Sequence, residues 1–200
     1  MIRVAVLDDH PTVLAGLRRL LEGTDDLKAV AAAATPDQLL AALNTKRADV
    51  AVLDYDLARG DGLGVCQRLK ERINAPGVII YSAFAGPALA LAAHIAGADA
   101  LVDKRAAVGE LLTAVRRVAD GDSAAPEVPL EIREILLSRL DPDELPVASM
   151  LLAGTSHQDI AETLDIDQAD VLQRIRCIVA RVAPKLSRHD AWPPGHKISG

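Results

Sequence analysis

Five short apolar runs separated by stretches of helical periodicity constrain this 200-residue chain more than any other feature. The runs are IRVAVL (2–7), LKAVAA (27–32), DVAVLD (49–54), GVIIYS (77–82) and DALVD (99–103). They are largely continuous rather than alternating, the pattern of strands buried on both faces. Helical stretches lie between them. One opens at Pro11 and sets Val13, Leu17, Leu20 and Leu21 on one face. The next opens with Thr35-Pro36, a cap followed by proline at the first helical position. Others follow Gly62 and Gly86, and the last carries Val108, Leu111, Leu112, Val115 and Val118. Strict βα order predicts a doubly wound, five-stranded parallel sheet over residues 1–120.

Composition agrees. Apolar residues are 50% and charged residues 25%, which excludes wholesale disorder. With four aromatics (Tyr55, Tyr81, Phe84, Trp192), the core must be built from Val, Ile, Leu and Ala. Two cysteines, Cys66 and Cys177, suit a reducing compartment. The N-terminus lacks a signal-peptide pattern. The longest uncharged run, Ile73 to Ala98, is broken by Pro76, Gly77, Gly86 and Pro87 into a strand and a helix. A membrane span is therefore rejected and a cytoplasmic protein expected.

Residues 121–130, GDSAAPEVPL, read as a linker, after which the strand signal ends. Helices are expected around 131–139 (Ile132, Ile135, Leu136), 143–153, 156–164 and 168–182, giving a small all-α domain over 131–183 and an irregular tail over 184–200. Ser156-x-x-Asp159 and Asp167-x-x-Asp170 resemble capping boxes. The turn from Leu164 to Asp167 makes residues 156–182 a helix-turn-helix candidate.

Ligands of a parallel α/β sheet sit beyond the carboxyl ends of its strands. Strand 1 ends in Asp8-Asp9, strand 3 in Asp54, strand 4 in Ser82 and strand 5 in Asp103-Lys104. Converging carboxylates repel unless a cation intervenes, and a hard ion such as Mg²⁺ suits oxygen ligands. A lysine and a hydroxyl nearby supply what a phosphoryl group needs.

Asp8-Asp9, Asp54 after VAVL, Ser82 after VIIY and Lys104 after ADALVD resemble the response-regulator receiver domain over residues 2 to 120. The resemblance implies a flavodoxin-like fold. It also implies that Asp54 takes a phosphoryl group from a histidine kinase. Asp8, Asp9, Asp54 and the backbone carbonyl of Asp56 would hold Mg²⁺, and Ser82 and Lys104 would contact the phosphoryl oxygens. The loop after Asp54 reads YDLARGDG where the family carries proline, and Leu101 stands where an aromatic switch residue is common. The run Gly60, Gly62, Gly64 lacks dinucleotide-loop spacing and a Walker lysine, so nucleotide binding is not expected.

Residues 140–182, with LDPDEL, LLAGTSHQDIAETLDI and Val171, Ile175, Ile178 and Val182, are similar to the LuxR-type helix-turn-helix. Together the two parts resemble a response regulator of the NarL/LuxR type, which implies a transcription factor rather than an enzyme, homodimeric when active. Its DNA-contacting candidates are Gln168, Leu172, Gln173, Arg174 and Arg176. Arg and Gln can pair with guanine and adenine edges. Asp170 and Leu172 stand where the family carries Thr and Lys. Residues 131–200 hold eight Lys/Arg against eleven Asp/Glu, a net charge of −3. An output domain that binds a protein is therefore a second expectation, and self-contained phosphotransfer without specific output a third.

Overall fold

The computed structural model describes residues 1–58, 60–122 and 128–184. Among these, five strands and nine helices occur. The strands are β1 (Ile2–Leu7), β2 (Leu27–Ala33), β3 (Val50–Asp54), β4 (Gly77–Ser82) and β5 (Ala100–Asp103). They form one parallel sheet in the order β2-β1-β3-β4-β5. The order reverses between β1 and β3, which opens a crevice at the carboxyl edge there. Both sheet faces are buried, as the continuous runs require. Ala5, Leu7, Ala51, Leu53, Val78 and Ile80 line one face; Val4, Val6, Val50, Val52 and Ile79 line the other.

Helices α1 (Pro11–Glu22) and α5 (Val108–Ala119) cover the second face through Leu17, Leu21, Leu111, Val115 and Val118. Helices α2 (Pro36–Thr45), α3 (Gly62–Lys70) and α4 (Pro87–Ile95) cover the first. Thr35 caps α2 as expected, its hydroxyl accepting from the Gln38 amide. At the amino ends of the strands Arg3 clasps Asp49 at 2.6 Å, joining β1 to the start of β3.

The later helices are α6 (Leu130–Leu137), α7 (Leu145–Leu152), α8 (His157–Leu164) and α9 (Gln168–Val182). The α8–α9 turn is made by Asp165 at φ 52°. Ser156 completes its box, accepting from the Asp159 amide and donating to the Asp159 carboxylate. Asp167 caps nothing with its side chain, contrary to expectation. Ile135 is 57% exposed rather than on the apolar face. Helix α6 begins at Leu130, so the expected linker is one residue shorter at that end; residues 123–127 and the tail from 185 lie outside the described residues.

Helix α4 has no polar face. Leu89, Ala90, Leu91, Ala92, Ala93 and Ile95 are all buried, because α4 lies between the sheet and a further layer. That layer is α6, α7 and α9, all packed on α4. One apolar cluster runs from the sheet through α4 into Val147, Ile160, Ile175 and Ile178. Among the described residues no helix is long and apolar enough to cross a membrane.

Candidate phosphoacceptor site

Parallel register carries four strand ends to one edge: Asp54 lies beside Tyr81, and Ser82 beside Asp103. Asp8 and Asp9 follow β1 directly. Asp8, Asp54 and Ser82 are 1%, 4% and 1% exposed. Lys104 reaches in from the end of β5, its Nζ 2.7 Å from Asp8 Oδ2 and 2.9 Å from Asp54 Oδ2. The ammonium also lies 5.5 Å from the Tyr81 ring centre. The predicted residues from four different strands thus share one crevice.

Burial raises the Asp54 carboxyl to about 6, even though Lys104 pulls it down, and the Asp8 charge adds to the rise. Burial works against the Lys104 charge, but its bonds to Asp8 and Asp54 outweigh this and hold its pKa above the ordinary value. The Asp56 amide points at Asp54 Oδ1 from 3.3 Å, and Ser82 Oγ accepts from the Phe84 amide at 3.1 Å.

One ligand atom each from Asp8, Asp9, His10 and Asp54 fall within 4.8 Å of one another. Asp9 Oδ1 is buried without a well-formed hydrogen bond, its near neighbour being the His10 imidazole at 2.9 Å. Asp9 Oδ2 is held by the Ala58 amide at 2.7 Å. Two buried carboxylates with oxygen lone pairs to spare fit a hard divalent cation.

The glycine run after β3 serves this edge. A Cβ on Gly62 would lie 2.3 Å from the Asp54 carbonyl oxygen, and Gly60 has φ +84°. Asp61 caps α3, its carboxylate accepting from the Gly64 amide at 2.6 Å. Leu101, on β5, is half-buried.

The helix-turn-helix candidates are dispersed. Gln168 and Gln173 are exposed and Leu172 is half-buried. Arg174 donates to the Asp143 carbonyl at 3.0 Å, and Arg176 pairs with Glu71, after α3, at 3.0 Å. Sequence reasoning missed Glu71 and Tyr55. The Tyr55 hydroxyl donates to the Pro184 carbonyl, just beyond α9, at 2.7 Å.

A doubly wound sheet with a buried acidic crevice and a lysine, followed by a helix-turn-helix, is the layout of a two-domain response regulator. The response regulator receiver domain family matches residues 4–116, and the chain belongs to it. The DNA-binding transcriptional activator DevR/DosR of Mycobacterium tuberculosis is 29% identical over 192 residues, covering 91% of this chain and 88% of its own. UhpA of Salmonella typhimurium, a transcriptional regulatory protein, is 29% identical over 88% of this chain and 92% of its own. The response regulator ChrA of a heme-sensing two-component system is 31% identical, with TM-score 0.53 over 90% of this chain and 89% of its own. RcsB of Salmonella enterica serovar Typhimurium, solved bound to the promoter rprA, is 22% identical and shares the fold at TM-score 0.57 over 96% of both chains.

Proposed function

We propose that Asp54 is the phosphoacceptor of a response regulator that controls transcription, with a histidine kinase as phosphodonor. The observation that carries this is the convergence of Asp54, Asp8 and Lys104 within hydrogen-bonding distance in one buried crevice. An Asp54 oxygen attacks the phosphorus, the phosphorus–nitrogen bond of the donor phosphohistidine breaks, and the imidazole leaves with its electron pair and takes a proton. Lys104 and the Ser82 hydroxyl stabilise the charge on the transferred oxygens. Asp8, Asp9, Asp54 and the Asp56 carbonyl are the groups that would hold Mg²⁺. Bound there, Mg²⁺ would neutralise charge on the transferred group.

Helix α9 is the proposed DNA reader, through Gln168, Leu172, Gln173, Arg174 and Arg176, in a protein that works as a homodimer in the cytoplasm. DevR/DosR and the RcsB complexes support this by their described DNA binding. In the arrangement described here α9 packs on α4 and Arg176 is held by Glu71, so reading DNA requires α9 to leave the receiver. A second reading, an output domain for a protein partner, is favoured by the 450 Å³ surface cavity at the turn, where Glu162, Asp165, Asp167 and Asp170 gather. These carboxylates would face the phosphates. Titrating DNA fragments at several salt concentrations, with and without phosphodonor, separates the two. Affinity that rises on phosphorylation and falls steeply with salt is expected for a DNA reader. Negligible binding in both states selects the protein partner.

A further inference from the structure

The phosphoacceptor crevice and the output helix are joined by one side chain. Tyr55 follows Asp54 directly, is 7% exposed, and reaches across the chain to the carbonyl of Pro184, 129 residues away. Its own carbonyl accepts from Gly62, the first residue of α3, at 3.0 Å. The output domain is thereby tied to the receiver at two places besides the packing of α9 on α4. Arg176 meets Glu71 at the far end of α3, and Pro184 meets Tyr55 at the crevice end. The Arg176–Glu71 pair is solvent-exposed and contributes little. The Tyr55 tie is the less exposed of the two, and its residue directly follows the reacting Asp54 in the chain.

We infer that Tyr55 couples Asp54 to the output domain: its hydroxyl holds the end of α9 while Asp54 is unmodified and releases it when a phosphoryl group arrives. This deepens the proposed function and rests on Asp54 being the phosphoacceptor. The physical route is short. The Tyr55 amide reaches the Tyr81 carbonyl only at 3.4 Å, and the Asp56 amide reaches Asp54 Oδ1 at 3.3 Å. Both are long, slack bonds. Oxygens added to Asp54 draw the Asp56 N–H and Lys104 toward themselves, turning the peptide planes on either side of Tyr55. A phenol pinned to Pro184 resists that turn, so the tie and the phosphoryl group oppose each other reciprocally.

The test is Tyr55→Phe in the full chain, which keeps the ring and removes only the hydroxyl. Backbone hydrogen exchange is followed in α9, with β1 and β2 as internal controls, before and after acetyl phosphate and Mg²⁺. Phosphoryl incorporation is measured in the same samples. Without phosphodonor, the last turns of α9 should exchange roughly two- to tenfold faster in Tyr55→Phe, the range a single buried hydrogen bond gives. Phosphodonor should raise wild type toward the variant and change the variant little. Unchanged α9 exchange in the variant, or equal loosening of both proteins by phosphodonor, overturns the coupling. Absence of incorporation into wild type overturns the Asp54 reading instead.

Discussion

Gly62 and Gly16 show how differently two glycines of one chain can be constrained. At Gly62 a methyl group would collide with the Asp54 carbonyl oxygen at 2.3 Å, while Gly16, exposed within α1, has nothing within 4 Å. Gly62→Ala should therefore lower stability by about 1–3 kcal/mol in thermal unfolding. Gly16→Ala should raise it by roughly 0.5–1 kcal/mol through helix propensity alone. Asp54 makes a separate, pH-resolved prediction. Its folded pKa of about 6 lies above the ordinary 3.8, so the folded state binds the proton more tightly. Its contribution to stability then falls as pH rises from about 4 to about 6 and is level above that. In chelator, denaturant unfolding of Asp54→Asn should gain on wild type across that window. A constant difference would show that the carboxyl is not strained by burial.

At the level of elements, α4 and α9 decide how the parts are joined. Ile175 is 2% exposed, so Ile175→Ala should cost about 2–5 kcal/mol by leaving a cavity. Glu71→Gln, which removes the exposed pair with Arg176 and the Glu71 charge acting on His157, should cost at most about 1 kcal/mol. Two histidines belong to this region. His94 on α4 is held below its ordinary 6.5 by burial and by the Arg133 charge from α6. His157 is held below it by burial, against the opposing pull of Glu71. A histidine that resists protonation when folded favours unfolding in acid, so stability should drop as pH falls below 6.5. Replacing both by Gln should flatten that drop in thermal unfolding between pH 7 and 5. The strands were legible in the sequence, because a parallel sheet buried on both faces forces continuous apolar runs. The docking of α9 on α4 was not. Its signal lay in the uncharged stretch Ile73–Ala98, where the helix after Gly86 has no solvent side, but one helix does not name the element that covers it.

For the whole molecule, the acidic crevice could be read in advance because strand ends are fixed by topology: once β1, β3, β4 and β5 are placed, Asp8, Asp54, Ser82 and Lys104 must meet. Tyr55 and Glu71 escaped detection because their partners, Pro184 and Arg176, are more than a hundred residues distant and carry no periodic signature. Arg174 and Arg176, legible as helix-face cations, are in fact engaged by Asp143, 31 residues away, and Glu71, 105 residues away. A net charge of −6 is compatible with a helix that presents arginines locally, since affinity for DNA is set by the cations that reach phosphates. The proposed function depends on Asp54 as the acceptor. Incubation with acetyl phosphate followed by intact-mass measurement tests it most directly. Wild type should gain the mass of one phosphoryl group only when Mg²⁺ is present, and Asp54→Asn should gain none. Incorporation that persists in Asp54→Asn, or that is indifferent to Mg²⁺, would contradict it.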